Sequence, residues 1–123
     1  MIERYSRKEI KSIWEDYNRY TIWLEIELAA AEAMEKLKII PKGTVKKVRA
    51  KAKINPKRIL QIEEKVKHDI IAFLTSITEK AGKEARHLHK GMTSSDVLDT
   101  CFNLQLKQSG KILLKDIDQL LVS

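Results

Sequence analysis

Two histidines, a glycine and a run of hydroxyls stand together in Arg86-His87-Leu88-His89-Lys90-Gly91-Met92-Thr93-Ser94-Ser95-Asp96. Thr93 and Asp96 have the T-x-x-D spacing of a capping box, which predicts a helix beginning at Ser94 or Ser95. The first N–H groups of such a helix lack carbonyl partners and carry the positive end of its dipole. Gly91 leaves room for an approaching ligand, and Thr93, Ser94 and Ser95 add hydroxyl donors. This combination suits a carboxylate or a phosphate, with His89 close enough to assist. Capped helix starts that bind only water are common, so the stretch by itself does not establish a site.

The elements that must hold it read as helices throughout. Ser6-Arg7-Lys8-Glu9 has capping-box spacing and opens a short helix through Ile10, Ile13 and Trp14. From Tyr17 to Leu37, Trp23, Ile26, Ala30, Ala33 and Leu37 recur at helical spacing. Glu25, Glu27 and Glu32 lie among them and read as solvated helix charges. Ile40-Pro41 and Gly43 close that helix. A short helix from Thr44 to Ala52 presents Val45, Val48 and Ala52. Asn55-Pro56 is a strong start signal for the next, with Ile59, Ile62 and Val66 as its buried stripe. Ile70, Phe73, Leu74 and Ile77 mark another helix ending near Gly82. His68, just before it, is the second candidate for chemistry, with Asp69 beside it to orient or charge the ring.

The last helix spans Ser95 to Ser123, with Val97, Cys101, Leu104, Leu113, Ile117, Leu120 and Leu121 on its apolar side. At ~1.5 Å per residue it would be about 44 Å long, too long for so small a domain to bury. Its end shows neither a C-cap glycine nor a closing basic turn. It reads as the first helix of a bundle cut before its other members. The expectation is an all-α chain, with an N-terminal helical domain over residues 1–93 and the start of a bundle over 94–123.

Composition narrows the function classes. Hydrophobic residues make up 43% of 123, enough for one core. No stretch approaches the roughly 18 to 20 apolar residues of a membrane span, and the charged N-terminus has no secretion signal. The single cysteine, Cys101, points to a buried thiol in a reducing compartment, so the cytoplasm is expected. The net charge of +7 raises anionic partners. Much of the excess lies between Lys42 and Arg58, yet no aromatic residues are interleaved for base stacking. A solvated basic face, and not a nucleic-acid surface, is expected. Three histidines without zinc-site spacing predict no metal, and no other cofactor is expected.

His89-Lys90-Gly91-Met92-Thr93-Ser94-Ser95-Asp96-Val97-Leu98-Asp99-Thr100 resembles the H-x-G-M/L-T-S-S-D-V/L-x-D-T stretch of adenylosuccinate lyases, in the fumarase/aspartase superfamily. Met1-Ile2-Glu3-Arg4-Tyr5-Ser6, Trp23-Leu24-Glu25-Ile26-Glu27 and His68-Asp69-Ile70-Ile71-Ala72-Phe73-Leu74 agree in order and distance. The resemblance covers essentially the whole chain. Carboxymuconate cycloisomerases usually carry T-S-Q-D and argininosuccinate lyases a G-R-S-R-N-D type of sequence, so the double match is specific.

The resemblance implies cleavage of adenylosuccinate to AMP and fumarate, and of the related imidazole-carboxamide ribotide, by a homotetramer. It implies that Arg4 and Tyr5 contact the nucleotide phosphate and that Thr93 and Ser94 bind the substrate carboxylate. Lys67, His68, Asp69 and His89 would surround the nucleotide, with His68 assisting catalysis and His87 having no role. The family's acid histidine and the serine base of its flexible loop lie beyond residue 123. This chain alone is therefore expected to be inactive. A sister superfamily enzyme and a basic helical binding module are the alternatives.

Overall fold

The computed structural model describes residues 2–123, so Met1 of the opening motif lies outside the described residues. Every regular element among them is helical. A single 3-10 turn, Glu3–Tyr5, precedes α1 (Lys8–Ile13), α2 (Asp16–Lys36), α3 (Thr44–Lys51), α4 (Pro56–Val66) and α5 (Asp69–Ala81). A second 3-10 turn, Gly82–His87, leads toward α6 (Ser94–Val122). The fold is all-α, as the sequence implied.

The core is built around α2 and α5. Trp23 and Phe73 are fully buried and meet edge to face with centroids 5.5 Å apart, while Tyr20 lies 5.1 Å from Trp23. Such geometry puts a positive ring edge on a negative ring face. The Arg19 guanidinium covers both Tyr20 and Trp23 at 4.9 and 5.1 Å. Ile59 and Ile62 of α4 and Ile70 and Ile77 of α5 complete the interior, whereas Val66, the third residue expected on the α4 stripe, is exposed at that helix's last turn. Asn55 caps α4 by accepting from the Arg58 amide at 3.2 Å, with Pro56 at the first helical position.

Three other local readings change. The Ser6–Glu9 box does not form, because the Ser6 hydroxyl donates to the Ile2 carbonyl and Arg7 occupies the N-cap without a side-chain cap bond. On α2 the buried stripe runs through Tyr20, Trp23, Glu27, Leu28 and Ala31, whereas Ala33 and Leu37 are exposed. On α6 the residue buried after Val97 and Cys101 is Gln105, not Leu104. Both shifts have one cause. A polar residue occupies a core position, and a periodicity that counts only apolar residues slides to the neighbouring face. Gln105 earns its place by donating at 3.0 Å to the carbonyl of Ile13, the last residue of α1.

The basic run also finds partners from a distance. Arg49 forks onto Glu25 of α2 at 2.8 and 3.3 Å, and Arg58 onto Glu79 of α5 at 2.7 and 3.0 Å. Hydrogen bonding to Arg58 holds the Glu79 carboxyl below its usual range. The lysines between remain exposed. Cys101 is buried, and desolvation pushes its thiol above the usual range.

Beyond Gln105, α6 leaves the core. Leu113, Leu114, Ile117, Leu120, Leu121 and Val122 are all more than half exposed. No helix among the described residues is long and apolar enough to cross a membrane.

The register of α2 predicts the cost of truncation. Leu28→Ala should cost about 2–5 kcal/mol, because Leu28 is enclosed, while Leu37→Ala should change stability by about 0.5 kcal/mol or less. Urea denaturation of the two variants measures this. Equal losses would return the buried face to the one hydropathy alone suggests.

Candidate anion-binding site

The start of α6 forms as its residues dictate. Thr93 is extended, and its Oγ1 accepts from the Ser95 amide at 3.2 Å. Asp96 Oδ2 reaches back to accept from the Thr93 amide at 2.8 Å, closing the capping box. The Ser94 amide and the Ser95 hydroxyl remain without a hydrogen-bond partner among the described residues.

The start of α5 faces it. His68 is the N-cap of α5, and its Nδ1 accepts from the Ile71 amide at 3.2 Å. With Nδ1 used as an acceptor, the neutral ring carries its proton on Nε2. That nitrogen lies 3.4 Å from Ser94 Oγ in the first turn of α6. The positive ends of two helices are therefore brought together, an arrangement that favours an anion between or beside them. Lys67, left-handed at φ 57°, ends α4 next to His68 and is exposed. Asp69 Oδ1 accepts from the Ile70 amide at 2.7 Å and lies 3.8 Å from His68 Nδ1. It thus belongs to the first turn of α5, where a carboxylate is favoured, more than to the open face of the site.

His89 is placed by a residue the sequence reading set aside. Its Nδ1 is 2.6 Å from Oε1 of Glu27, whose side chain is 0% exposed. Glu27 is thus not a solvated helix charge but the buried partner of a site histidine. One signal was available. Glu27 lies four residues after Trp23 and four before Ala31, on a single helical face. His89 itself adopts φ 65°, in the left-handed region, and its carbonyl accepts from the Met92 amide at 3.3 Å. Gly91 follows with φ 71°.

Arg4 and Tyr5 lie elsewhere. Arg4 donates to the Tyr5 hydroxyl at 2.6 Å and its guanidinium stands 4.9 Å from that ring, while Tyr5 is 72% exposed. Arg7, three residues on, pairs with Asp116 of α6. At about 1.5 Å per residue, Asp116 stands roughly 33 Å along the helix from Ser94. Within one chain, then, His68, Ser94 and the Thr93 cap are brought together, with His89 in the adjoining loop, and the Arg4–Tyr5 pair is not. His87 is half-buried and lines a groove with Lys42, Lys47, Lys83, Arg86 and the single acid Glu84. Among the described residues no cluster of His, Cys, Asp and Glu has the makings of a metal site.

The sequence profile of a family described as Lyase matches residues 3–123. The chain belongs to this lyase family. Its sequence is also 47% identical over 119 residues to adenylosuccinate lyase of Bacillus subtilis (strain 168), covering 97% of this chain and 28% of that protein. Its fold is that of the fumarate lyase from Mesorhizobium sp. BNC1, with a TM-score of 0.83 at 22% identity over 92% of this chain and 27% of that one. The chain spans a little over a quarter of the length of these relatives.

Proposed function

We propose that these 123 residues are the N-terminal part of an adenylosuccinate lyase, acting in the cytoplasm, and that the start of α6 holds the substrate's carboxylate. The observation that carries this reading is the meeting of two helix N-termini at His68 and Ser94, 3.4 Å apart. Cleavage of adenylosuccinate to AMP and fumarate is a β-elimination. A base takes a proton beside a carboxylate, the C–N bond breaks, and an acid protonates the leaving nitrogen. Negative charge gathers on the carboxylate as the proton leaves, and preorganised donors at that place lower the barrier most. Thr93 and Ser94 fill this role. His68, with its Nε2 proton on the side of Ser94, hydrogen-bonds the substrate and assists, while Lys67, Asp69 and His89 border the nucleotide.

The separation of Arg4 and Tyr5 from α6's start supports a shared site. Their phosphate-binding role fits a tetramer in which one copy's N-terminal segment approaches another copy's α6. We place the domain junction at residues 93 and 94, where the cap ends one region and the long helix begins the next. The general acid and base would come from the remainder of a longer polypeptide, so the 123 residues should not turn over substrate alone.

The cleavage test compares a chain of the relatives' full length with residues 1–123, following substrate absorbance. Turnover is expected only from the longer protein. In it, His68→Ala should lower kcat by about 10² or more, and His87→Ala should have little effect. Equal losses in folded variants would remove His68 from the site.

Association is the second expectation. Burying Leu104, Leu113, Ile117, Leu120 and Leu121 is worth ~1.5–3 kcal/mol per side chain when complete, against roughly 4–15 kcal/mol for lost freedom. Residues 1–123 should therefore exchange between monomer and dimer or tetramer at micromolar or higher concentration. Sedimentation velocity over a hundredfold concentration range measures it, with Leu113→Asp plus Ile117→Asp expected to abolish association. A monomer throughout, or no change in the double variant, would show that α6 needs no partner.

A further inference from the structure

We infer that Glu27 is a positioning residue for His89, fixing its ring so that Nδ1 carries the proton and Nε2 is the nitrogen offered to the ligand. The inference deepens the functional reading above and rests on it for the identity of that ligand.

Glu27 sits in the middle of α2 with no exposed surface, 62 positions before His89 in the chain. A carboxylate taken out of water must be answered by a proton donor, and removal of its partner leaves a costly unpaired group. The pairing is narrow. Oε1 meets His89 Nδ1 at 2.6 Å, while Oε2 is buried without a hydrogen-bond partner. His89 therefore provides the only hydrogen bond this side chain makes among the described residues.

The histidine is held there against a local preference. Non-glycine residues at positive φ are uncommon, and such conformations persist only where the surroundings over-determine them. His89 at φ 65° is held by the Glu27 contact on its side chain and the Met92 amide on its carbonyl. A carboxylate only accepts, so this pairing assigns Nδ1 as the donor and the tautomer follows. Nε2 then has no protein partner among the described residues, on a side chain that is 21% exposed. His68 has the opposite arrangement, its Nδ1 accepting from a backbone amide. Two histidines flanking one helix start are thus set in different tautomers, one by a helix cap and the other by a buried acid.

The decisive spectrum is a long-range 1H–15N correlation of the [15N]histidine-labelled chain, with His89 assigned by its loss in His89→Gln. In the wild type, Nδ1 should appear as a protonated nitrogen whose hydrogen is far downfield, unlike that of His87. Glu27→Leu should abolish that resonance, and Glu27→Gln, which keeps an acceptor oxygen, should retain the tautomer. An unprotonated Nδ1 in the wild type overturns the inference whatever the variants do. The second readout is AMP affinity of the longer protein by calorimetry. Glu27→Leu and His89→Gln should each weaken AMP about tenfold, and the double variant no further. Additive losses would show Glu27 acting elsewhere and overturn the inference. Failure of the wild type to bind AMP would defeat the functional reading, and the spectrum would still decide the role of Glu27.

Discussion

A carboxylate enclosed in a hydrophobic core has few ways to exist, and the contact between Glu27 and His89 is the one this chain uses. It ties the centre of α2, the helix against which α3, α4 and α6 pack, to the loop that precedes α6. Glu27 has no exposed surface, and that burial is what makes the pair obligatory. Position follows from that demand. The loop must turn through His89 and Gly91 at positive φ to bring the ring inward, and the same turn delivers Thr93 to the cap of α6.

The chemistry comes from where helices begin. α5 and α6 both start at this place, each capped by a side chain that accepts a backbone amide, His68 in one and Thr93 in the other. Capping consumes some of the unpaired donors while the positive ends of both dipoles still converge, which suits an anion. The far half of α6 serves another purpose. Leu113, Leu114, Ile117, Leu120, Leu121 and Val122 stay exposed there, and its flank carries the N-terminal segment through Arg7 and Asp116.

Much of this was legible from residue types and spacing. The helices, the Asn55-Pro56 start, the α5 stripe and the Thr93–Asp96 box follow from local rules that tertiary packing did not override. The family was legible from the motifs around His68 and His89, and the match over residues 3–123 agrees with it. The partners of Glu27 and Gln105 were not legible, because each is a polar residue whose burial is justified by one group far away in sequence, His89 and Ile13, although the spacing of Glu27 with Trp23 and Ala31 marks its face. Hydropathy periodicity treats such residues as solvent-facing and so misplaces the stripes around them. The Ser6 box failed for a related reason. Its hydroxyl had a competing backbone acceptor in Ile2, and spacing cannot choose between the two.

The central claim, that the paired helix starts bind the anionic substrate, is tested most directly by a crystal structure of the longer protein with AMP and fumarate. A carboxylate oxygen should lie within hydrogen-bond distance of the first turn of α6, with His68 and His89 at the nucleotide. The Arg4–Tyr5 pair of another copy should lie at the phosphate. Ligands seated instead in the groove of Lys42, Lys47, Lys83 and Arg86, with the start of α6 facing only water, would contradict it.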